Sequence, residues 1–413
     1  MKRTAIAVSV CFGMAPSVAW ALDWSLRTSQ VEVIELNDNQ FMRTSPAVSV
    51  GSYSTITANA EARTPISKFN FDADGTYRKY WGPGVEGAPS ENLNHGFKAR
   101  YELNEKNPAN RQFLETSWRQ QSTSLALLND LGVVSNARGF LDRLTASGGI
   151  DRSISARDSV SLFATSTHTS YEPSSGGTPI TDTVARGSWR HSVNRITALN
   201  ASSEFELLNY ENATNSRVQI YRNQIGVDAT LSPVLSFRGN IGAAHLITEG
   251  GVNPLSSTGG TASNTSGSSS LTDWIGDAVL TYRLLKNTTL AINASQSIAP
   301  SIVGSLFKRD TISASLSHTI NTNSTLSFLA SGTRSISTTS TDYASASVTY
   351  SYKFTRDLSA QLTYRYQHRF ASSGTSTVDP ITGTPTVSGT GPASSNSVML
   401  TVSNSYIILP RGN

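Results

Sequence analysis

Residues 342–370 read DYASASVTYSYKFTRDLSAQLTYRYQHRF, and their side chains alternate between apolar and polar in two runs. In the first run, the even positions from 344 to 352 are Ala, Ala, Val, Tyr and Tyr, and the odd positions between them are Ser or Thr. The even positions of the second run are Leu358, Ala360, Leu362, Tyr364 and Tyr366. Because successive side chains of a β-strand point to opposite faces, this pattern predicts two strands joined by a turn at 355–357.

The length and the aromatic ends of these runs distinguish them from strands of soluble β-sandwiches. Each run is about twice as long as the five or six residues of an ordinary strand, and its apolar face ends in tyrosines. Transmembrane β-barrels combine an apolar face in lipid, an aromatic girdle at the interface and a polar lumen. The sequence therefore predicts an all-β, antiparallel transmembrane β-barrel. The candidates for its girdle are Trp189, Trp274, Tyr282, Tyr350, Tyr352, Tyr364 and Tyr366.

Strand-like segments cover most of the chain after residue 23, and we count about 18, an even number as in single-chain bacterial barrels. Short connections such as 64–65 and 286–287 alternate with long ones such as 247–270 and 371–394. Barrels of the outer membrane have short periplasmic turns and long extracellular loops, so both termini are predicted on the periplasmic side. The two long loops are rich in Gly, Ser, Thr and Pro, which favours flexible surface loops over segments folded into the pore.

The first 21 residues differ from the rest of the chain. Lys2 and Arg3 precede a short apolar run, and Ala19 and Ala21 form a small-x-small cleavage box. This arrangement is typical of a secretory signal peptide, with cleavage predicted after Ala21. No later stretch has the 18 or so consecutive apolar residues of a spanning helix. We therefore predict a signal peptide, 1–21, and one barrel domain, 22–413, integral to the outer membrane of a Gram-negative bacterium.

Residues that commonly carry catalysis or bind metal are sparse or isolated. Cys11 is the single cysteine and lies in the signal peptide, which excludes a disulfide scaffold and thiolate chemistry in the mature chain. The six histidines show no metal-ligand spacing, and no hydrolase, P-loop or Rossmann motif is present. The net charge of +4 is small and indicates no nucleic-acid partner. We expect no catalytic residue, no metal, no cofactor and no enzymatic activity.

Charged side chains are predicted to line the lumen, because they lie on the faces opposite the apolar stripes. Basic candidates are Lys98, Arg100, Arg119, Arg186, Arg190, Arg222, Arg238, Arg283, Arg365 and Arg369. Acidic candidates are Glu102, Glu115, Asp182, Glu204, Glu206, Asp228, Asp273 and Asp277. These charges must be paired or hydrated. They either brace the barrel as ion pairs or form an electropositive path that binds anions through guanidinium groups. In the second case, the pairs Arg186/Arg190 and Arg365/Arg369, each four residues apart on one strand face, would hold successive anions along the lumen.

The start of the predicted mature chain resembles a particular group of proteins. An alternating strand runs from Trp24 to Asn37-Asp38-Asn39, and SPAVSV follows at 45–50. These features resemble the outer-membrane β-barrels associated with exosortase (PEP-CTERM) and exopolysaccharide loci of proteobacteria, and the resemblance implies a role in polysaccharide export or assembly. Such barrels usually end on an aromatic residue, whereas this chain continues beyond Tyr406 to Asn413. Either Tyr406 takes that role or the assembly signal is atypical.

The pattern favours a porin-like channel for polysaccharide or small hydrophilic solutes, since barrels of 16 to 18 strands enclose an aqueous lumen unless it is plugged. Expected partners are outer-membrane lipid, polysaccharide and periplasmic export components. Three alternatives remain open. They are a sheath for a periplasmic multihaem cytochrome, a structural or adhesive surface barrel, and a barrel-embedded hydrolase.

Overall fold

The computed structural model describes residues 23–85, 90–104, 110–123, 139–172, 177–211, 215–249, 269–300, 306–336, 340–370 and 391–409. Within these ranges the chain forms eighteen strands and one short 3-10 helix, Pro83–Val85. The strands are β1 (Asp23–Asn37), β2 (Ser49–Arg63), β3 (Ser67–Trp81), β4 (Glu91–Asn104), β5 (Arg111–Ser122), β6 (Phe140–Ser153), β7 (Asp158–Tyr171), β8 (Ile180–Ser192), β9 (Thr197–Tyr210), β10 (Arg217–Ser232), β11 (Leu235–Glu249), β12 (Ser269–Leu285), β13 (Thr288–Pro300), β14 (Leu306–Thr319), β15 (Ser324–Ile336), β16 (Ser340–Lys353), β17 (Leu358–Arg369) and β18 (Ala393–Leu409).

These strands form one closed antiparallel sheet. Each strand pairs with its neighbours in the sequence, and β1 also pairs with β18. Ile34 of β1, for example, lies opposite Ser52 of β2 on one side and opposite Leu400 of β18 on the other. The predicted antiparallel barrel of about 18 strands is confirmed.

The outer face of the barrel is apolar. Ile225 and Ile241 are cross-strand partners with 68% and 62% of their surface exposed, and Leu362 and Leu400 form a similar exposed pair. A closed barrel satisfies its backbone hydrogen bonds internally and can present such a face to lipid. Antiparallel barrels with an even strand number and an outward apolar band are integral proteins of the bacterial outer membrane, and this chain is one. In the described ranges, no helix has the length and apolarity needed to cross a membrane.

The two ends of the barrel differ in their connections. At the end that we call the short-turn end, connections such as 233–234, 286–287 and 354–357 are brief. Thr355 Oγ1 accepts hydrogen bonds there from the backbone N–H groups of Asp357 and Leu358, so its side chain stabilises the turn as short polar residues commonly do. The opposite, long-loop end contains the connections 38–48 and 370–392. By the rule for outer-membrane barrels, the short-turn end faces the periplasm.

Several predicted segments lie outside the described residues. They include the signal peptide with Ala19 and Ala21, and most of the loops 247–270 and 371–394.

The seam between β1 and β18 is closed at the long-loop end by polar side chains of the sequence Asn37-Asp38-Asn39. Asn39 is 1% exposed, and its Nδ2 donates to the carbonyl oxygens of Arg43 at 2.7 Å and Ser394 at 2.9 Å. Asp38 accepts from the backbone and side-chain nitrogens of Asn396, each at 2.7 Å. These bonds join the first and last strands beyond their regular pairing.

Candidate functional site

The candidate site is the inner face of the barrel. All ten basic lumen candidates, Lys98, Arg100, Arg119, Arg186, Arg190, Arg222, Arg238, Arg283, Arg365 and Arg369, lie opposite the exposed apolar side chains of their strands. The acidic candidates Glu102, Glu115, Asp182, Glu204, Glu206, Asp228, Asp273 and Asp277 share that face. The girdle candidates Trp189, Trp274, Tyr282, Tyr350, Tyr352, Tyr364 and Tyr366 are exposed on the outer face.

On β3, β4 and β5, inward charges pair across strands. Arg119 of β5 donates to Asp74 of β3 at 2.6 Å, and Gly96 of β4 lies between them in register with both. A side chain at Gly96 would stand between these two charges. Lys98 lies 3.8 Å from Asp72. The absence of a side chain at residue 96 thus allows an ion pair to bridge a strand.

Arg100 on β4 is bound by two carboxylates. Its Nε donates to Glu102 at 2.6 Å and its Nη1 to Glu115 at 3.0 Å. The guanidinium carbon also lies 4.3 Å from the ring centroid of Phe113. All three contacts hold the guanidinium against the wall, which is the bracing arrangement.

The arginines of β17 are likewise engaged. Arg365 donates to Glu35 at 3.1 Å, and Glu35, which is 4% exposed, also accepts from the hydroxyl of Tyr53. Arg369 is buried and donates through Nη2 to the carbonyl oxygen of Gly391 at 3.2 Å. Neither guanidinium has its full set of donors open to the lumen.

A buried ionic group lies on β9 and β10. Arg222 donates through Nη1 to Glu204 at 2.6 Å, forms an ion pair with Glu206, and donates through Nη2 to the carbonyl oxygen of Ile298 at 2.8 Å. Ile298 belongs to β13, three strands away from β10 in the sheet. The end of β13 therefore lies over the inner face of β10.

Strand pairing shows how the end of β13 reaches the inner face of β10. Pairing between β12 and β13 ends at Gly276 and Gln296, whereas pairing between β13 and β14 continues to Pro300 and Leu306. The described ends of this hairpin, 297–300 and 306–309, are what we call the β13–β14 tip. On its other side, Lys308 and Arg309 still pair with Ile336 and Ser335 of β15. The tip therefore separates from β12 at the long-loop end while β14 stays attached to β15.

Apolar and ionic contacts hold the β13–β14 tip inside. Ile298 and Leu306 belong to one buried cluster, which we call the lumen apolar cluster, with Ile180, Leu208, Tyr210, Val218, Ile220, Ala244, Leu246 and Ile275. Lys308 of the tip donates to Asp273 on the inner face of β12 at 2.7 Å. Ile298 and Leu306 are in phase with the outward side chains Ile292 and Ile312 lower on the same strands. That face of the hairpin therefore covers the inner faces of β8 to β12 at the long-loop end.

The β13–β14 tip and its cluster were not predicted from the sequence, which led us to expect a polar inner face throughout. A local signal exists. At the long-loop ends of β9 and β11, the neighbours Leu207-Leu208 and Leu246-Ile247 are apolar on both faces. Loss of alternation in this way indicates that the inner face is also covered.

Two further candidates retain open guanidinium groups. Arg186 on β8 and Arg283 on β12 are exposed, and no ion pair joins either to the rest of the described chain. Glu204 is the cross-strand neighbour of Arg186 but is bound by Arg222.

Metal-binding and catalytic groupings were not expected from the sequence. Among the described residues, no group of three or more His, Cys, Asp or Glu side chains is placed to hold a metal ion. His318 and His368 contact hydroxyl groups, those of Thr288 and Ser394, each at 2.8 Å.

Comparisons with known proteins give structural likeness only. No family model and no curated protein matches the sequence. The FrpB iron transporter of Neisseria meningitidis in its apoprotein form gives a TM-score of 0.49 at 8% identity, covering 93% of this chain and 81% of that chain. The open form of the ferric-catecholate import receptor Fiu from E. coli K12 gives 0.47 at 11%, covering 92% and 81%.

OccAB2 of Acinetobacter baumannii gives a TM-score of 0.47 at 7% identity, covering 94% of this chain and 98% of that chain. The fold assignment rests on the strand pairing of this chain itself.

Proposed function

We propose that this protein is an outer-membrane channel for hydrophilic solutes, narrowed at its long-loop end by the β13–β14 tip. The observation that carries this proposal is the inward tip, which lies over one side of a lumen whose remaining inner face is ionic and hydroxyl-rich. Barrels of 16 to 18 strands enclose an aqueous passage unless something fills it. A hairpin that covers five of eighteen strands narrows such a passage.

Polysaccharide is the solute that we propose. The support is the resemblance of residues 24–50 to barrels associated with exopolysaccharide loci, together with the serines and threonines of the inner face. Ser331 and Ser345 bond at 2.7 Å, as do Ser359 and Ser403. Hydroxyl groups of this kind exchange hydrogen bonds readily with sugar hydroxyls. A sheath around a cytochrome would need an unobstructed lumen, which the tip disfavours.

The tip is held by enough apolar burial to keep its position. Ile298 and Leu306 are 2% and 1% exposed, and complete burial of side chains of this size contributes about 1.5–3 kcal/mol each. Arg222 and the pair Lys308–Asp273 add bonds at either side. We therefore treat the constriction as a stable part of the barrel.

Planar-bilayer recording tests the proposal. The double variant Ile298→Asp with Leu306→Asp places two carboxylates in the apolar cluster and should release the tip, so the single-channel conductance should rise. The matched control, Ile298→Val with Leu306→Ile, keeps the cluster apolar and should conduct as the native protein does. Absence of current through a correctly folded native barrel would reject the channel. An unchanged conductance in the Asp variant would reject the tip as its constriction.

Solute class is tested separately in liposomes. Vesicles that contain the native barrel should release neutral and acidic oligosaccharides faster than vesicles without it. Retention of oligosaccharides by a barrel that conducts potassium chloride would restrict the function to small solutes.

A further inference from the structure

At the short-turn end of the lumen, the inner faces of β8 to β12 surround a cavity of about 430 Å³. Three arginines line it: Arg190 on β8, Arg195 in the turn 193–196, and Arg238 on β11. We propose that this cavity is a binding site for a hydroxylated organic anion, such as a sugar that carries a carboxylate. This site deepens the proposed channel function and rests on it for its biological role.

The charge balance of the cavity favours an anion. Asp228 is the one acid among the lining residues, and it accepts from both Arg190 and, at 2.7 Å, Arg238. Arg195 has no side-chain partner in the described part of the chain. One carboxylate therefore faces three guanidinium groups, which leaves an excess of two positive charges.

The exposure of these groups determines which charge a solute meets. The side chain of Asp228 is 15% exposed, whereas those of Arg190 and Arg238 are 47% and 63% exposed. Asp228 occupies one nitrogen of each arginine, Nη1 of Arg190 and Nε of Arg238. The carboxylate thus orients the two guanidinium groups while their other N–H donors remain available. Such forks match carboxylate and phosphate oxygens.

The remaining lining explains why the ligand should carry hydroxyl groups. Ser192, Thr230, Ser236 and Thr281, which share the inward phase of their strands, also line the cavity. Each hydroxyl can donate one hydrogen bond and accept two. The volume falls in the range of about 300–1,000 Å³ typical of small-molecule sites, so it accommodates one sugar unit rather than a bare ion.

Binding is measured on the whole barrel, purified in detergent, by isothermal titration calorimetry with glucuronate. Neutral glucose is the control ligand, and trigalacturonate tests whether one unit of an acidic polymer can enter. We expect glucuronate to bind and glucose not to bind. Raising the salt concentration should weaken glucuronate binding, because the recognising charges are partly exposed.

Two variants locate the site. Arg238→Gln and Arg195→Gln should each weaken glucuronate binding by about tenfold or more, since a hydrogen bond to a charged group contributes about that factor. Arg190 still pairs with Asp228 in both variants. The matched control is Arg356→Gln, which removes the same charge from the turn 354–357 at the same end of the barrel, outside the cavity.

The outcomes are distinct. Loss of affinity in the two cavity variants but not in Arg356→Gln supports the site. Equal loss in all three variants would show that the general positive potential of the short-turn end attracts glucuronate, and would overturn the proposed site. Equal binding of glucuronate and glucose would overturn it as well. Because calorimetry requires no current, a barrel that binds glucuronate without conducting would reject the channel and leave the site standing. A barrel that conducts but does not bind glucuronate would reject the site and leave the channel standing.

Discussion

At the scale of single residues, the ion pair Arg119–Asp74 depends on the absence of a side chain at Gly96, which lies between them. A Cβ atom at this position would lie 2.7 Å from the carbonyl oxygen of Trp118 and beneath the pair Arg119–Asp74. We predict that Gly96→Ala destabilises the barrel by about 1–3 kcal/mol, the usual cost of overpacking.

The measurement is a urea titration in detergent, with the folded fraction read from the migration of unheated samples. Gly75→Ala on the adjacent strand is the control, because a Cβ there meets nothing within 4 Å. If both variants unfold at the same urea concentration, steric overlap at residue 96 is not the cause.

Arg222 and Arg186 offer a second residue-scale comparison, since they flank Glu204 in register from either side. Arg222→Met removes the partner of two carboxylates, and we predict a loss of about 3–5 kcal/mol, as for other buried pairs broken on one side. Arg186→Met removes an exposed charge and should change the free energy of unfolding by less than about 1 kcal/mol. The same urea titration measures both. Equal effects would contradict the bracing role of Arg222.

At the scale of elements, the seam between β1 and β18 depends on a few polar side chains beyond the ladder. Asn39→Leu would leave the backbone carbonyls of Arg43 and Ser394 without this donor, and each buried unsatisfied group costs about 1–3 kcal/mol. We predict that the variant barrel loses its compact gel migration at a lower temperature than the native protein.

The control is Asn404→Leu on the other half of β18, where the side-chain bond is made to the exposed Tyr406. A seam that is equally heat-resistant in both variants would show that backbone pairing alone closes the barrel.

At the scale of the whole molecule, ion selectivity should follow the arginines that remain open to the lumen. Arg365 is bound by Glu35, and Arg369 is buried against Gly391. We therefore predict that Arg365→Ala with Arg369→Ala destabilises the barrel but leaves its reversal potential in a salt gradient nearly unchanged. A shift toward cations in a stable double variant would support the predicted Arg365/Arg369 ladder as an anion path.

The sequence by itself determined the barrel because the alternation that predicts each strand involves only neighbouring residues. Alternation on a strand requires only neighbouring residues, so the hairpin at 342–370 and the order of short and long connections could be read without knowing any distant contact. The inward position of charges such as Arg190 and Arg238 followed from the same rule.

Only the tertiary structure decided which of these charges are engaged and where the lumen narrows. Arg119 reaches Asp74 across an intervening strand, and Arg222 reaches a carbonyl of β13 from β10. No regular spacing in the sequence indicates either contact. Curvature of the barrel brings Arg119 to Asp74, and the inward bend of the β13–β14 tip brings Ile298 to Arg222. The cavity beside Arg195 likewise requires five strands to meet at one end, which alternation along a single strand does not encode.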